Sequence, residues 1–314
     1  MKIIDVHTHG LNGLDSRSSD VRHITTIAQL HGQQGVSEII LSIYPATIKI
    51  MRENLSIIKK AMEAQVEVIN ISKSVVTNGQ IEFPPFNHAL IRGAHLEGPF
   101  LNPEFCGALN AASFLKPTEQ NLESLIEGYS DIIKIITVAP ELDGAVNLIK
   151  KISHMGIIVN MGHSKATYAE AEAGFKAGTK CITHLFNAMS PFTHRQPGLA
   201  GFALTNKDIY VEVIADPFHL HQSTIDLIFG MKRSDRVIVI SDSVKETILS
   251  TNNKSPLSHN TPLFDKSPLQ VSNKLVGGAM TITESANRLV QIGYPPETIL
   301  KYISTNPSTF LKVN

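Results

Sequence analysis

Residues 157–184 read IIVNMGHSKATYAEAEAGFKAGTKCITH, and they show the alternation that recurs along the whole chain. The apolar run Ile157–His163 predicts a buried strand, Tyr168–Ala177 predicts a helix, and Lys180–His184 predicts a second strand. Strands that are apolar almost throughout are typical of a sheet with both faces covered. Strand followed by helix, repeated from end to end, therefore favours a parallel sheet with covering helices.

Eight stretches of the chain are predicted to be buried strands. They are Ile3–His7, Glu38–Ile43, Ile91–Glu97, Ile132–Glu141, Ile157–His163, Lys180–His184, Tyr210–Asp216 and Val237–Asp242. Seven of them close on residues that can bind a metal or move a proton, namely His7 with His9, Glu97, Glu141, His163, His184, Asp216 with His219, and Asp242. Only the second, which runs into Ser42 and Tyr44, ends without such a group.

A strand that only builds a core has no need for a polar ligand at its carboxyl end. A (β/α)8 barrel enzyme does need one, because its active site is assembled from those ends and from the loops that follow them. We therefore predict an α/β fold, a (β/α)8 TIM barrel that forms one domain over residues 1–314, and a metalloenzyme.

Amphipathic stretches between the strands predict the helices. They are Val21–Gln34, Ile48–Ala64, Leu122–Tyr129, Leu142–His154, Tyr168–Ala177, Gln222–Lys232 and Ser285–Ile292. Spacings of three and four in the second helix predict one stripe packed in the core, made of Met51, Leu55, Ile58 and Met62.

Two regions interrupt the alternation. Val66–Val76, with Asn78-Gly79 and Ile81–Phe83, predicts an added hairpin, and Thr247–Ser272 predicts a lid, a binding loop or a disordered segment.

The composition excludes several functional classes. The formal net charge is zero, from 28 basic and 28 acidic residues, so nothing indicates binding to nucleic acid or to an anionic membrane. No apolar run reaches the roughly 18 residues of a membrane span, and the first residues carry no signal segment. No Walker motif or dinucleotide-binding glycine motif indicates a nucleotide cofactor. Because Cys106 and Cys181 stand far apart, free thiols in a reducing compartment are expected, and with them a soluble, cytoplasmic protein.

Two sets of residues at strand ends suit a metal ion. His7 and His9 alternate along one strand, so their side chains point the same way and can bind one ion. Glu97 arrives at the end of the third strand, and His163 and His184 arrive at the ends of two consecutive strands. A Glu/His/His set suits Zn²⁺ or Fe²⁺ with one position open for water. We predict that the protein binds one or two such divalent ions.

Two further residues near strand ends have different predicted roles. Asp242 follows five nearly unbroken apolar residues, and a carboxylate there can take a proton from water and deliver it to a leaving group. His95 lies two residues before Glu97 and deeper in the barrel. We predict that His95 is a hydrogen-bonded core histidine and not a metal ligand.

Seven short segments together resemble a known family. They are Asp-Val-His-Thr-His-Gly at 5–10, His-Leu-Glu-Gly-Pro-Phe at 95–100, Gly-His-Ser at 162–164, Thr-His-Leu-Phe-Asn-Ala-Met at 183–189, Arg-Gln-Pro-Gly-Leu-Ala-Gly at 195–201, Ala-Asp-x-x-His at 215–219 and Ser-Asp at 241–242. On these segments the chain resembles the amidohydrolase superfamily and, within it, the N-acetylglucosamine-6-phosphate deacetylases. The resemblance covers nearly all of residues 3–313. It implies metal-dependent hydrolysis of the acetamide of an amino-sugar phosphate, and we further expect a homodimer.

The resemblance also implies a role for each matching position. The metal would be held by Glu97, His163 and His184, and a second ion by His7 and His9, with Glu97 bridging and Asp242 nearby. Asp242 would act as general base and acid, and His219 would contact the substrate and polarise the acetyl carbonyl. The sugar and its phosphate would face Ala108, Leu109, Asn187, Ala188, Arg195, Leu275, Val276 and Gly277. Of these, Arg195 would be the fork-shaped partner of the phosphate.

Four departures separate the chain from that family. The family's small β-sandwich, built from both chain ends, is expected to be missing, because the sequence begins at the first predicted strand. Leu109 stands where the family has a substrate-facing histidine, Pro217 follows Asp216 in place of glycine, and Gly278 replaces the usual serine. Since the metal-binding and proton-transfer residues are retained, these departures concern the substrate more than the reaction.

Two other functions remain open at this point. The first is an amidohydrolase acting on another N-acyl sugar or on a cyclic amide. Many such enzymes bridge two metals with a carboxylated lysine at the end of the fourth strand, but Lys134 lies near its start, which favours Glu97 as the bridge. The second is a catalytically dead barrel that binds metal or sugar, and the retention of Asp242 argues against it.

Overall fold

The computed structural model describes residues 1–65, 75–77, 79–83, 87–249, 267–271 and 274–312. Eight parallel strands lie side by side in chain order: β1 Ile4–Thr8, β2 Glu38–Ile43, β3 Leu90–Leu96, β4 Ile133–Val138, β5 Ile158–Met161, β6 Cys181–Ile182, β7 Tyr210–Ile214 and β8 Val237–Ile240. A parallel bridge between Thr8 and Ser243 joins the first strand to the residues after the last one. The predicted (β/α)8 barrel is confirmed.

Helices follow the strands around the barrel. They are α1 Val21–Gln33, α2 Ile48–Ala64, α3 Glu119–Ile126, α4 Ala145–His154, α5 Tyr168–Ala177, α6 Gly198–Thr205, α7 Gln222–Met231, α8 Ile282–Gln291, α9 Pro296–Leu300 and α10 Asn306–Leu311, with a π-helical turn over Lys301–Thr305. Smaller elements are the hairpins Gly10–Leu11 with Leu14–Asp15, Val75–Thr77 with Gln80–Glu82, and Gln270–Val271 with Lys274–Leu275, and the 3-10 turns Pro103–Phe105 and Ala111–Ser113.

Local capping explains where three helices differ from their predicted bounds. Gly144 has a φ of 84°, which other residues rarely adopt, so α4 begins directly after it and not three residues earlier. The side chain of Thr118 caps α3, which starts three residues before its predicted start. A capping box between Thr281 and Glu284 likewise starts α8 three residues before its predicted start. Helix α6 was not predicted, because it is buried on nearly all sides and shows no amphipathic stripe.

The main apolar core includes strand residues and the inward faces of the helices. Met51, Leu55 and Ile58 are fully buried in it and Met62 packs against it, which confirms the predicted stripe. The predicted hairpin is confirmed over the two strands that are described. Residues 66–74 and 78 of that region lie outside the described residues, as do 250–266 and 272 of the polar stretch. No helix in the described part of the chain combines the length and the hydrophobicity that a membrane crossing requires.

Candidate active site

Three side chains converge just beyond the ends of β3, β5 and β6. The Nε2 atoms of His163 and His184 lie 3.2 and 3.1 Å from Oε1 of Glu97, and 3.1 Å from each other. Nitrogen and oxygen ligands about 2.0–2.1 Å from a tetrahedral Zn²⁺ stand about 3.3 Å apart. All three side chains are buried. The donor types, their spacing and their burial therefore fit one divalent ion.

A second group lies beside the first and shares Glu97. The Nε2 atoms of His7 and His9 are 3.3 Å apart, and Oδ1 of Asp242 lies 3.3 and 3.6 Å from them. Oε1 of Glu97 is 3.5 Å from Nε2 of His7, and Oε2 is 3.2 Å from Nε2 of His9. The structure thus brings all six predicted metal-binding residues together as two adjacent groups, with Glu97 between them.

The charges of these groups depend strongly on one another. Burial favours the neutral form of Glu97, but hydrogen bonds from four imidazoles hold its pKa well below its usual range. Burial likewise disfavours the charged form of His7, yet Asp242, Glu212 and Glu97 raise its pKa well above 6.5. The buried carboxylates therefore require positive charge nearby. A cation held by Nε2 of His7 would take the place of a proton there.

Three of these side chains are presented by strained backbone. His163, His184 and Asp242 have φ angles of 46°, 31° and 47°, in the left-handed region that residues other than glycine avoid. Such a conformation costs about 1–3 kcal/mol per residue and persists only where its surroundings fix it. Here the carbonyls of His163 and His184 accept amide hydrogen bonds from Asn102 and Asn187. Strain of this kind is concentrated at functional sites.

A cavity of about 260 Å³ opens over the two groups. Of the nine residues predicted to bind substrate, eight line it: Ala108, Leu109, Asn187, Ala188, His219, Leu275, Val276 and Gly277. The ninth, Arg195, is exposed and does not belong to the lining. Arg195 lies on the loop between β6 and α6, as the sequence indicated.

His219 is held at the cavity by the carboxylate that precedes it. Its Nδ1 lies 2.9 Å from Oδ2 of Asp216, which also accepts a hydrogen bond from the amide of Ala279. Burial lowers the pKa of His219, but the hydrogen bond and charge of Asp216 outweigh that effect and raise it above 6.5. With Nδ1 turned to Asp216, Nε2 is the ring nitrogen left to meet a substrate in the cavity that His219 lines.

Four residues that line the cavity were not predicted as site residues, namely Tyr44, Gly107, Ile214 and Lys274. Two of them, Tyr44 and Lys274, have polar side chains. Tyr44, just past β2, stacks on His9 with ring centroids 3.9 Å apart and an angle of 21° between the rings. The second strand, which was set apart as ending without a functional group, therefore supports a candidate metal ligand. Lys274, on the hairpin Gln270–Val271 with Lys274–Leu275, is an exposed ammonium group at the same cavity. No motif indicated it, since an isolated lysine carries no signal.

A further missed residue is Glu212, which is fully buried behind His7. Its Oε2 lies 3.2 Å from Nδ1 of His7. The candidate ligand His163 has a different partner at Nδ1, the backbone carbonyl of Phe105 at 2.9 Å. A charged residue inside the apolar run Tyr210–Ile214 is the signal in the sequence that could have identified it.

Three other residues in or beside the strands lie outside the metal-binding groups. His95 is fully buried and forms hydrogen bonds with the side chains of Ser42 and Thr137, which confirms that it is a core histidine. Glu141 accepts hydrogen bonds from Asn102, from the side chain of Ser164 and from the amide of Lys165, so it joins loops, and no imidazole of the described residues bonds to it. Lys134 donates to the carbonyl of Asp131, which agrees with Glu97 as the bridge.

The departure at Gly278 has a steric cause. A Cβ atom at this position would lie 1.9 Å from the carbonyl oxygen of Ser241. The amide of Gly278 meanwhile donates to the carbonyl of Asp242 at 2.7 Å. Glycine thus allows the chain to pass directly behind Asp242, where a serine side chain has no room.

Comparison with known proteins places these motifs in context. No family model matches the chain. N-acetylglucosamine-6-phosphate deacetylase of Bacillus subtilis (strain 168) is 29% identical over 291 residues, covering 91% of this chain and 68% of that protein. N-acetylgalactosamine-6-phosphate deacetylase of Escherichia coli O157:H7 is 26% identical over 312 residues, covering 99% and 77%. N-acetylglucosamine-6-phosphate deacetylase of Mus musculus is 31% identical over 232 residues, covering 70% and 56%.

Solved structures agree on the fold. The crystal structure of N-acetyl-D-glucosamine-6-phosphate deacetylase from Mycobacterium smegmatis gives a TM-score of 0.79 at 22% identity, covering 99% of this chain and 76% of that one. A variant of the same enzyme, in complex with N-acetyl-D-glucosamine-6-phosphate, gives 0.81 at 22% identity and covers 99% and 77%. The resemblance predicted from the motifs is therefore confirmed: over nearly its whole length this chain is similar to the N-acetylglucosamine-6-phosphate deacetylases.

Proposed function

We propose that the protein is a metal-dependent deacetylase that hydrolyses the acetamide of N-acetylglucosamine 6-phosphate to glucosamine 6-phosphate and acetate. The observation that carries this proposal is the convergence of a Glu/His/His set, a carboxylate and a polarised histidine on one cavity. Glu97, His163 and His184 supply the metal donors, and Asp242 and His219 line the same cavity. The similarity to deacetylases of sugar phosphates supports the choice of bond and substrate.

Asp242 and His219 divide the proton chemistry between them. Asp242 takes the proton of the attacking water and returns it to the leaving amine as the tetrahedral intermediate collapses. His219 donates from Nε2 to the acetyl oxygen as negative charge develops there, while Asp216 fixes its ring. A divalent ion held by Glu97 and its partners would polarise the carbonyl and lower the pKa of water.

The donor set suits Zn²⁺ or Fe²⁺, bound as one ion or two. Imidazole and carboxylate are ligands for both metals. The first ion would bind to Glu97, His163 and His184, and the second to His7, His9 and Asp242. Glu97 lies within 3.5 Å of both histidines of the second group, so it would contribute to both positions.

Two cations are candidates for the phosphate end of the substrate. Arg195 has a guanidinium that pairs with phosphate through two parallel hydrogen bonds, but it lies outside the cavity lining. Lys274 belongs to that lining and supplies a point charge. We propose that Lys274 meets the phosphate from the cavity side and that Arg195 meets it from the loop after β6. Asn187 and Ala188 would line the sugar between them.

A second candidate substrate is favoured by Leu109. This apolar side chain lines the cavity where the resembled family presents a histidine, so one hydrogen bond to the sugar is lost. The Escherichia coli relative is an N-acetylgalactosamine-6-phosphate deacetylase, which differs in its sugar and not in its acyl group. An N-acetylated hexosamine 6-phosphate other than the glucose isomer is therefore the alternative.

Acetate release from a panel of sugars tests both candidates. Metal-loaded protein is assayed with N-acetylglucosamine 6-phosphate, N-acetylgalactosamine 6-phosphate and unphosphorylated N-acetylglucosamine, with Asp242→Asn as the control. We expect the highest kcat/KM with the first. A higher value with the second would select the alternative, and no acetate above the control from any sugar would refute the deacetylase.

We also propose a single catalytic domain over residues 1–314, a cytoplasmic location and a homodimer. Free thiols at Cys106 and Cys181 support a reducing compartment. Light scattering of the purified protein measures the oligomeric state, and a mass equal to one chain of 34.3 kDa would refute the dimer.

A further inference from the structure

Glu212 is a buried carboxylate that the proposed reaction does not use. It lies in the middle of β7 between Val211 and Val213, and it has no exposed surface. Its Oε2 is 3.2 Å from Nδ1 of His7, and its Oε1 accepts a hydrogen bond of 2.9 Å from Nδ2 of Asn160. Both carboxylate oxygens therefore have a partner: Oε2 faces the candidate metal ligand His7, and Oε1 accepts a hydrogen bond from Asn160 of β5.

This arrangement distinguishes His7 from the other candidate imidazole ligands. His163 has only a backbone carbonyl at Nδ1. Within the described residues, the Nδ1 atoms of His9 and His184 have no protein hydrogen-bond partner. Among the four imidazoles, His7 is thus the one with a carboxylate behind it. The two candidate ion positions differ in this respect, because His7 belongs to the second group and not to the first.

A carboxylate at Nδ1 has two effects on an imidazole ligand. It keeps the proton on Nδ1, so the lone pair of Nε2 points towards Asp242 and Glu97, and it makes that lone pair a stronger donor. It also adds a third negative charge near His7, beside those of Asp242 and Glu97. A buried carboxylate is costly unless a cation or hydrogen bonds compensate it, and an apolar side chain would fill the middle of β7 at lower cost. Glu212 is therefore better explained by a cation nearby than by packing.

We propose that Glu212 is a positioning residue, which orients His7 and thereby determines whether the group His7, His9 and Asp242 holds a second ion. The inference rests on the proposed metal centre and deepens it. Loss of a carboxylate behind a metal-bound histidine typically weakens metal affinity about 10- to 100-fold. The loss is expected at the second ion and not at the first, because Glu97, His163 and His184 do not contact Glu212.

The experiment titrates metal-free protein with Zn²⁺ and counts the ions bound per chain and their Kd values by calorimetry and elemental analysis. The wild type should bind two ions. Glu212→Gln, which keeps the size of the side chain but removes its charge, should retain the tight ion and bind the other 10- to 100-fold more weakly. Glu212→Asp, which restores the charge one methylene further back, should recover part of that loss. Glu141→Gln is the matched control, because Glu141 lies at the same barrel end and bonds to no imidazole.

Four results would overturn the proposal: one ion per chain in the wild type, equal weakening of both ions in Glu212→Gln, no weakening, or the same change in Glu141→Gln. Circular dichroism of each variant verifies folding. If Glu212→Gln does not fold, Glu212→Met, which also removes the charge, takes its place, and a wild-type Kd for its second ion refutes the role. These results depend on ion binding alone. Acetate release in the wild type separately decides whether the proposed deacetylase function stands.

Discussion

The backbone amide of Asp242 donates a hydrogen bond of 2.9 Å to the carbonyl oxygen of His7. His7 belongs to the first strand of the barrel and Asp242 follows the last, so this contact lies at the seam where the sheet closes. It also sets the distance between two residues of the candidate second ion site. Closure of the barrel and assembly of that site are therefore the same structural event.

The first prediction concerns the set around Glu97. Alanine at Glu97, His163 or His184 removes a donor from a group whose atoms lie within 3.2 Å of one another, so each variant should lose bound metal and turnover together. Glu97→Ala should be the most severe, because Glu97 faces both groups. Elemental analysis and acetate release measure the two quantities. Stoichiometric metal in all three variants would show that the site lies elsewhere.

The second prediction separates proton transfer from metal binding. Asp242→Asn keeps the shape of the side chain and can still place an oxygen near His7 and His9, but it cannot take a proton. General acid–base catalysis contributes about 10²- to 10⁴-fold in rate, so kcat should fall by at least that factor. The first ion should stay bound, which elemental analysis verifies. A kcat within a few-fold of the wild type would remove Asp242 from the mechanism.

The third prediction concerns the phosphate. A hydrogen bond to a charged group contributes about 1.5–3 kcal/mol, or roughly 10- to 100-fold. Lys274→Met and Arg195→Met should each reduce the preference for N-acetylglucosamine 6-phosphate over N-acetylglucosamine by such a factor. The ratio of kcat/KM values for the two sugars measures this preference. Lys116→Met, an exposed lysine outside the cavity lining, is the control. An unchanged ratio in either variant would exclude that residue as a phosphate contact.

The fourth prediction concerns stability at acidic pH. Burial lowers the pKa of His31 from 6.5 to about 4, and its Nε2 lies 3.2 Å from the hydroxyl of Thr8. As the pH falls from 6.5 to 4, His31 binds a proton in the unfolded chain but not in the folded chain. The free energy of unfolding should therefore fall, by up to about 3 kcal/mol. Chemical denaturation at pH 7 and pH 5 measures the effect.

His31→Gln removes this titration while keeping a polar atom near Thr8, so its stability should depend less steeply on pH. The exposed His23, on the same helix, provides the control substitution His23→Gln, which should leave the slope unchanged. Equal slopes in the wild type and in His31→Gln would contradict the assignment.

The fifth prediction concerns the close passage of the chain behind Asp242. Gly278→Ser should lower the free energy of unfolding by about 1–3 kcal/mol, because the new Cβ meets the carbonyl oxygen of Ser241 at 1.9 Å. It should also lower kcat, since Gly278 bonds to the backbone of Asp242. Gly230→Ser, where a Cβ has nothing within 4 Å, is the control. Stability and kcat equal to the wild type would mean that the loop moves aside freely.

Much of the candidate site could be predicted because its signals are local. Apolar runs that end in histidine or a carboxylate are visible in the sequence, and a parallel barrel necessarily brings such ends together. His7, His9, Glu97, His163 and Asp242 were found in this way. Helix α6 was not, since a helix that is buried on nearly all sides has no periodic pattern to detect.

The sequence by itself determined the barrel, the donor types and the residues that could carry protons, because strand patterning and side-chain chemistry are properties of short segments. Only the tertiary structure decided that Glu212 stands behind His7, and that Lys274 lines the cavity while Arg195 does not. These relations join residues far apart in the chain. Their distances depend on how the sheet closes and how the loops return over it, which no local pattern encodes.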